Sequence, residues 1–252
     1  MPDYQGRLDE IERAVDAGRA DLGALGFWKL LSEAKRDPGA AAHAERIGRI
    51  DRKAFESRKK VLLPVWLGNL VLLSGTVVLL ATVAVALRLA TGSIGGGPNP
   101  TLAGALLVVA AAGLSATVHA PAHWLAGRAV GMGFTRYFLG GPFRIQPGVK
   151  TDYASYLLTP AARRATMHAA GALASKVAPF AVFGWAYIFH WQRGWDLLPS
   201  WSLWTLLAFG LFQIATDIVW STKRSDWKKV RRELRVAREV EGTGEPADAS
   251  IG

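Results

Sequence analysis

The chain has 252 residues and a formal net charge of +10, and half of its residues are hydrophobic. It contains no cysteine, which excludes disulfide bonds, thiolate metal sites and cysteine nucleophiles. The basic charge does not indicate nucleic-acid binding, because no platform of interleaved aromatic and basic residues accompanies it. Basic residues instead flank long apolar runs, a pattern typical of membrane proteins with positively charged cytoplasmic loops.

Residues 1–60 are polar and of mixed charge, and we predict that they form a cytosolic region of short amphipathic helices. Leu8, Ile11 and Val15, for example, share one helical face. The segment lacks the basic start, apolar stretch and small-residue cleavage site of a signal peptide. We interpret it as a cap packed beneath a membrane domain; a module that binds a substrate or partner is the alternative.

Residues 61–221 are predicted to form a transmembrane domain, because about 20 apolar residues are enough to cross a bilayer. The four predicted spans are residues 61–89, 102–129, 167–189 and 197–220. Basic residues precede the first span, follow the last and fill the connection between the second and third. The positive-inside rule therefore places both termini in the cytoplasm, and a composition rich in Ala, Gly and Arg suggests a bacterial plasma membrane. Residues 222–252 are predicted to be a basic helix and a disordered cytosolic tail.

A β-hairpin beside the membrane is predicted at about residues 134–150. Phe134–Leu139 and Pro142–Ile145 are rich in aromatic and β-branched residues and flank the pair Gly140-Gly141. The predicted fold class is therefore mainly α: a polytopic membrane protein with about four transmembrane helices, a small membrane-associated β-hairpin and a cytosolic helical N-terminal region.

Two histidines near the inner end of the second span indicate a metal site. His119 and His123 are four residues apart, so they share a helical face and can bind one metal ion. Asp217 is an ionisable residue within the fourth apolar span, at a similar depth, and such residues are costly unless they have a function. Two histidines, one carboxylate and an open position for water predict a zinc site. A salt bridge between Asp217 and Lys176, with no metal, is the alternative.

Several segments resemble the site-2 protease family of intramembrane zinc metalloproteases. His119–Arg128, with the sequence HAPAHWLAGR, is similar to the family's H-E-x-x-H-A-x-x-A/G-R helix. Phe138–Pro142 resembles the hairpin that follows that helix, and Ala170–Ser175 resembles the small-residue motif A-G-P-x-A-N of the next span. The order of these segments strengthens the resemblance.

The resemblance implies cleavage of a transmembrane protein substrate within the bilayer for regulated proteolysis. It also implies that His119, His123 and Asp217 bind zinc, which polarises water and the scissile carbonyl. The residues expected to lie behind these ligands and hold them in position are His168, Ser175 and Lys176. The chain departs from the family pattern because Ser175 and Lys176 replace the usual asparagine region, and because no glycine follows Asp217.

A further departure is Ala120, which stands where the family has the glutamate that takes the proton from zinc-bound water. General-base catalysis contributes about 10²–10⁴-fold to rate, so we predict almost no proteolysis. The chain is either a natural pseudoprotease that binds membrane helices without cleaving them, or an engineered form of an active parent. We favour engineering, because only the proton-handling residue is missing while the three predicted ligands remain.

A third possible function is a small transporter or channel, in which His119, His123 and Asp217 form a path for protons or metal ions. The predicted partners are a transmembrane protein substrate and the lipid bilayer, without nucleic acid. The sequence does not indicate the oligomeric state or the identity of the substrate.

Overall fold

The computed structural model describes residues 3–58, 61–139, 147–193, 197–219 and 225–242. Within these ranges the chain is mainly helical, and its strands form one three-stranded antiparallel sheet.

The N-terminal region folds around an apolar core of its own. It contains α1 (Tyr4–Asp16), α2 (Phe27–Ala34), a 3₁₀ helix (Pro38–His43) and α3 (Ala44–Arg58). Leu8, Ile11 and Val15 all point into this core, as their helical spacing predicts.

The rest of the described chain continues with a short strand, two long helices, two paired strands and four further helices. In chain order these elements are β1 (Leu62–Pro64), α4 (Val65–Ala90), α5 (Pro100–Ala129), β2 (Phe134–Leu139), β3 (Pro147–Thr151), α6 (Tyr153–Leu158), α7 (Ala161–Arg193), α8 (Ser200–Val219) and α9 (Asp226–Gly242).

Three of these helices, α4, α5 and α7, are long and apolar enough to cross a membrane. Large apolar side chains on α4, such as Trp66 and Val77, are about two-thirds exposed, which suits contact with lipid. The fourth predicted span corresponds to α8, a helix of 20 residues that is not among the three candidates found in the described residues. The structure therefore supports a helical membrane protein with three candidate spans.

The sheet has the strand order β1-β2-β3, and both pairs are antiparallel. β2 coincides with the first strand of the predicted hairpin. The predicted second strand, Pro142–Ile145, lies outside the described residues, and the strand paired with β2 is β3. β1 was not predicted, because the sequence of three apolar residues that precede a long apolar helix looks the same as the start of that helix.

The last described helix, α9, packs against α7 and is held between α7 and the N-terminal region. Glu233 of α9 accepts a hydrogen bond from Arg164 Nε at 2.7 Å and forms a salt bridge with Lys35. Arg36 Nε donates to Glu239 at 2.6 Å. These contacts bring the first residue of α9, Asp226, to the inner part of the helical bundle.

Candidate metal centre

The side chain of His123 is held in one orientation by α7. Its Nδ1 atom lies 2.7 Å from the carbonyl oxygen of Met167, and the ring is almost fully buried. Because a carbonyl oxygen can only accept, Nδ1 carries the proton and donates it. In the neutral ring the lone pair is then on Nε2, which is the form in which imidazole binds a metal.

His119 is held in a similar way by Ser175. Its Nδ1 atom lies 3.4 Å from Ser175 Oγ. Ser175 Oγ lies 3.2 Å from the carbonyl oxygens of both Gly171 and Ala172, to which it donates its own proton. The hydroxyl oxygen can therefore accept from His119 Nδ1, and this again leaves the lone pair on Nε2.

Asp226 completes the group. Its Oδ2 atom is 3.2 Å from His123 Nε2 and 3.4 Å from His119 Nε2. Oδ1 of the same carboxylate accepts a hydrogen bond from Lys229 Nζ at 2.8 Å. Burial alone would raise the pKa of Asp226, but the Lys229 ammonium, and a histidine ring whenever it carries a proton on Nε2, outweigh it and hold that pKa well below its usual range. The carboxylate is therefore ionised at neutral pH.

Three electron-rich atoms converge at this point. The two Nε2 atoms and Oδ2 all lie within 4.8 Å of one another. If both rings are neutral, their lone pairs face a carboxylate, and that arrangement is favourable only with a cation between them. A metal ion meets this requirement, and so does a proton that converts one imidazole to imidazolium.

The donor set fits zinc. Zinc binds histidine nitrogen and carboxylate oxygen, and catalytic sites use three protein ligands with one position open. Tetrahedral ligands at zinc are about 3.3 Å apart, and the two measured nitrogen–oxygen separations of 3.2 and 3.4 Å agree with that spacing. The hydrogen bonds behind both rings and behind the carboxylate are those usual at zinc sites. His119, His123 and Asp226 would thus hold the ion.

The structure brings Asp226, and not the predicted Asp217, to the histidine pair. Oδ2 of Asp217 lies 2.5 Å from Lys176 Nζ, which is the salt bridge that the sequence left as the alternative. Asp217 still lines the same cavity as His119, with a volume of about 650 Å³. Asp217 therefore lies at the predicted depth, but its carboxylate binds the Lys176 ammonium of α7 and not a histidine.

The other three predicted residues surround the centre in different ways. Ser175 contacts His119, as described above, whereas Lys176 binds Asp217 rather than either ring. His168 Nε2 lies 3.0 Å from Tyr156 Oη, which donates to Glu233 Oε1 at 2.9 Å. The His168 and His123 rings are 6.3 Å apart between centroids. His168 therefore connects the metal centre to the buried contacts of α9 and is not a ligand in this arrangement.

Gly171 of α7 allows this helix to approach the His123 ring of α5 closely. A Cβ atom at this position would lie 2.2 Å from His123 Nε2, the nitrogen that faces Asp226. At Gly184, on the same helix, a Cβ atom would meet nothing within 4 Å.

We expect Gly171→Ala to displace the His123 ring and weaken zinc binding by about 10- to 100-fold, the range typical of residues that orient metal ligands. Gly184→Ala is the matched control and should stabilise α7 slightly, by up to about 1 kcal/mol, without changing zinc affinity. Competition with a chromogenic chelator measures both affinities. Equal zinc affinity in the two variants would contradict the assigned close approach.

Ala120 lies beside the histidine face rather than on it. At about 100° per residue it is rotated roughly 100° from His119 and 60° from His123. Its side chain is fully buried and packs with Leu72 of α4 and Tyr137 of β2. A glutamate at this position would have to enter that apolar contact before its carboxylate could turn toward the metal centre.

Asp226 is not among the site residues predicted from the sequence, although one signal pointed to it. It is the only acidic residue between Lys223 and Arg232, in the segment predicted to be a basic helix. An isolated acid in a basic helix is a candidate for a specific partner, but the sequence does not show which one.

No protein-family model, curated protein or solved structure matches this chain, so its function is inferred from its own residues.

Proposed function

We propose that this chain is a membrane-embedded zinc-binding protein of the site-2 protease type, which binds a transmembrane segment of a partner protein but does not cleave it. The observation that carries this proposal is the convergence of His119 Nε2, His123 Nε2 and Asp226 Oδ2 beside a cavity among apolar helices. The ligand set is the one that the resemblance implies, with Asp226 in place of Asp217.

The cavity gives the centre space for a ligand. Polar side chains of four helices, α5, α7, α8 and α9, contribute to its lining, and Gln213 of α8 donates to Ser115 Oγ of α5 at 3.2 Å. Zinc bound at the centre would polarise a carbonyl group or a water molecule. The side chains supply the rest: two oriented imidazoles, an ionised carboxylate and a partly polar cavity among apolar helices.

Among the residues that the structure describes, the centre lacks one that can take a proton. Ala120 has no ionisable group, and Asp226 uses Oδ2 at the centre and Oδ1 for Lys229. Asp217 is the other carboxylate that lines this cavity, and its Oδ2 is held by Lys176. We infer that substrate capture is retained and hydrolysis is lost.

With α8 taken as a fourth span beside the three candidates, the proposed orientation places both termini on the cytoplasmic side of a bacterial plasma membrane. The positive-inside rule supports it, because basic residues concentrate at both ends of the helical domain and between α5 and α7. In this orientation α9 and the N-terminal region lie at the inner leaflet, on the same side as the end of α5 that carries the histidines.

Ala120→Glu tests the catalytic part of the proposal. If the chain derives from an active protease, the variant should cleave a membrane substrate about 10²–10⁴-fold faster than the unmodified protein, as expected for a restored general base. Ala120→Gln is the matched control, because it has the same size and no basic group. Cleavage by liposome-reconstituted protein is followed on a tagged transmembrane peptide library.

The outcome separates the two histories of this chain. A gain with Glu and none with Gln indicates an inactivated protease. If neither variant cleaves while both retain zinc, the chain is a natural pseudoprotease, an interpretation that the apolar contact of Ala120 with Leu72 and Tyr137 favours. Equal cleavage by the unmodified protein and the Glu variant would contradict the role assigned to position 120.

A further inference from the structure

A second cavity, of about 680 Å³, lies between α7, α8 and α9 and also borders the Lys176–Asp217 pair. Beside this pair, α7 and α8 form an apolar wall. The side chains that form this wall are Leu173, Val177, Phe180, Ile214 and Val219.

The remaining part of the cavity is cationic. α9 contributes Trp227, Lys228 and Arg231, and α7 contributes Lys176. Among the described residues that line this cavity, Asp217 is the only carboxylate, and Lys176 binds it. The same described residues include three cations, and two of them, Lys228 and Arg231, belong to α9.

The apolar wall faces outward from the helical bundle. Val177 is 58 % exposed and Val219 is 71 % exposed, although both belong to strongly apolar helices. Side chains of this kind are exposed to lipid when such helices lie in a bilayer. The cavity thus joins a lipid-facing apolar surface to a cationic edge that carries a tryptophan, a residue favoured at the membrane interface.

We propose that this cavity binds one anionic phospholipid, with an acyl chain along the α7–α8 wall and the phosphate against Lys228 and Arg231. A basic pocket between helices at the cytoplasmic leaflet suits such a headgroup. A partner's apolar helix would cover the wall but bring no anion to the cations. A free anion would leave the wall uncovered. The proposal rests on the membrane orientation given above and does not depend on the metal.

The test is native mass spectrometry of the full chain in detergent, titrated with phosphatidylglycerol or with phosphatidylcholine of the same acyl chains. We expect one tightly bound phosphatidylglycerol and much weaker phosphatidylcholine. Lys228→Gln combined with Arg231→Gln should weaken phosphatidylglycerol binding by roughly 30-fold, since each cation contributes about 1 kcal/mol. Arg235→Gln combined with Arg238→Gln removes the same charge from α9 outside the cavity and should change binding little.

Two further arms identify what is bound. Glycerol phosphate, which has the anion without the chains, should not displace the lipid at millimolar concentration. Val177→Trp fills the apolar wall without changing charge and should also weaken lipid binding. Equal retention of the two lipids, equal loss in the two arginine-containing double variants, or displacement by glycerol phosphate would each overturn the proposal. Displacement by an apolar transmembrane peptide alone would assign the cavity to a protein partner instead. Zinc content measured on the same samples reports separately on the metal centre.

Discussion

Replacing Asp226 with asparagine is expected to remove most of the zinc from the purified protein, whereas removing Asp217 is expected to leave it bound. The asparagine side chain would keep the shape of the aspartate but lose the negative charge that balances zinc. Loss of a ligand should cost more than the roughly 10- to 100-fold measured for residues that only orient ligands. Metal content by plasma mass spectrometry and affinity by chelator competition measure the difference.

The control must avoid leaving a charge without its partner. Asp217→Asn alone would strand Lys176 in a partly buried position and destabilise the fold for a reason unrelated to metal. The suitable variant is Asp217→Asn combined with Lys176→Met, which removes both charges. His123→Ala serves as the reference for a lost ligand. If the Asp217 variant loses as much zinc as Asp226→Asn, the sequence-based assignment of Asp217 is correct and the arrangement around Asp226 is not.

Glu233→Ala is expected to have the largest effect on stability. Glu233 is 1 % exposed and binds Arg164 of α7, Tyr156 of α6 and Lys35, which directly follows α2. Its removal would leave two largely buried cations without a partner, a change that typically costs about 3–5 kcal/mol. Because Glu233 fastens α9 to α7 and to the N-terminal region, Asp226 should also leave the histidines, and zinc affinity should fall.

Glu239→Ala is the matched control for this effect. Glu239 lies on the same helix and pairs with Arg36, but its side chain is 43 % exposed, so its loss should cost less than about 1 kcal/mol. Chemical denaturation and hydrogen exchange of α1 to α3 compare the two variants. A similar loss of stability in both would show that α9 is not held by its buried carboxylate.

The same carboxylate makes the docking of α9 sensitive to acid. Burial alone would raise the pKa of Glu233, but Lys35 and Arg164 outweigh it, so the pKa lies below its ordinary value. Its stabilising contribution is therefore present above the unfolded-state pKa of about 4.3 and is lost as pH falls through the lower folded-state value. Glu233→Gln should reduce the dependence of unfolding on pH in that range.

Local sequence patterns were sufficient for the features that depend on residues close together in the chain. A spacing of four placed His119 and His123 on one face of α5, where their ring centroids are 4.7 Å apart. Apolar runs predicted α4, α5 and α7, and helical periodicity predicted the buried face of α1. Each of these is decided within a few turns of one helix, where about 3.6 residues per turn determine which side chains are neighbours.

The carboxylate beside the histidines could not be found in this way. Asp226 meets His123 across 103 positions of sequence, at the start of the predicted basic helix. Asp217 has the residue type and depth of a ligand, yet Lys176 binds it, and nothing in the spacing of either residue chooses between these partners. Asp226 reaches the histidines because α9 packs along α7, where Glu233 binds Lys35 and Arg164.

The sequence by itself thus determined that two histidines share a face near the end of an apolar helix, and that position 120 has no proton acceptor. Only the tertiary structure decided which carboxylate faces them, and that Ala120 packs against Leu72 and Tyr137. The physical reason is that helical periodicity acts over a few residues, whereas the metal centre is assembled by packing and buried charge pairs between elements far apart in the chain.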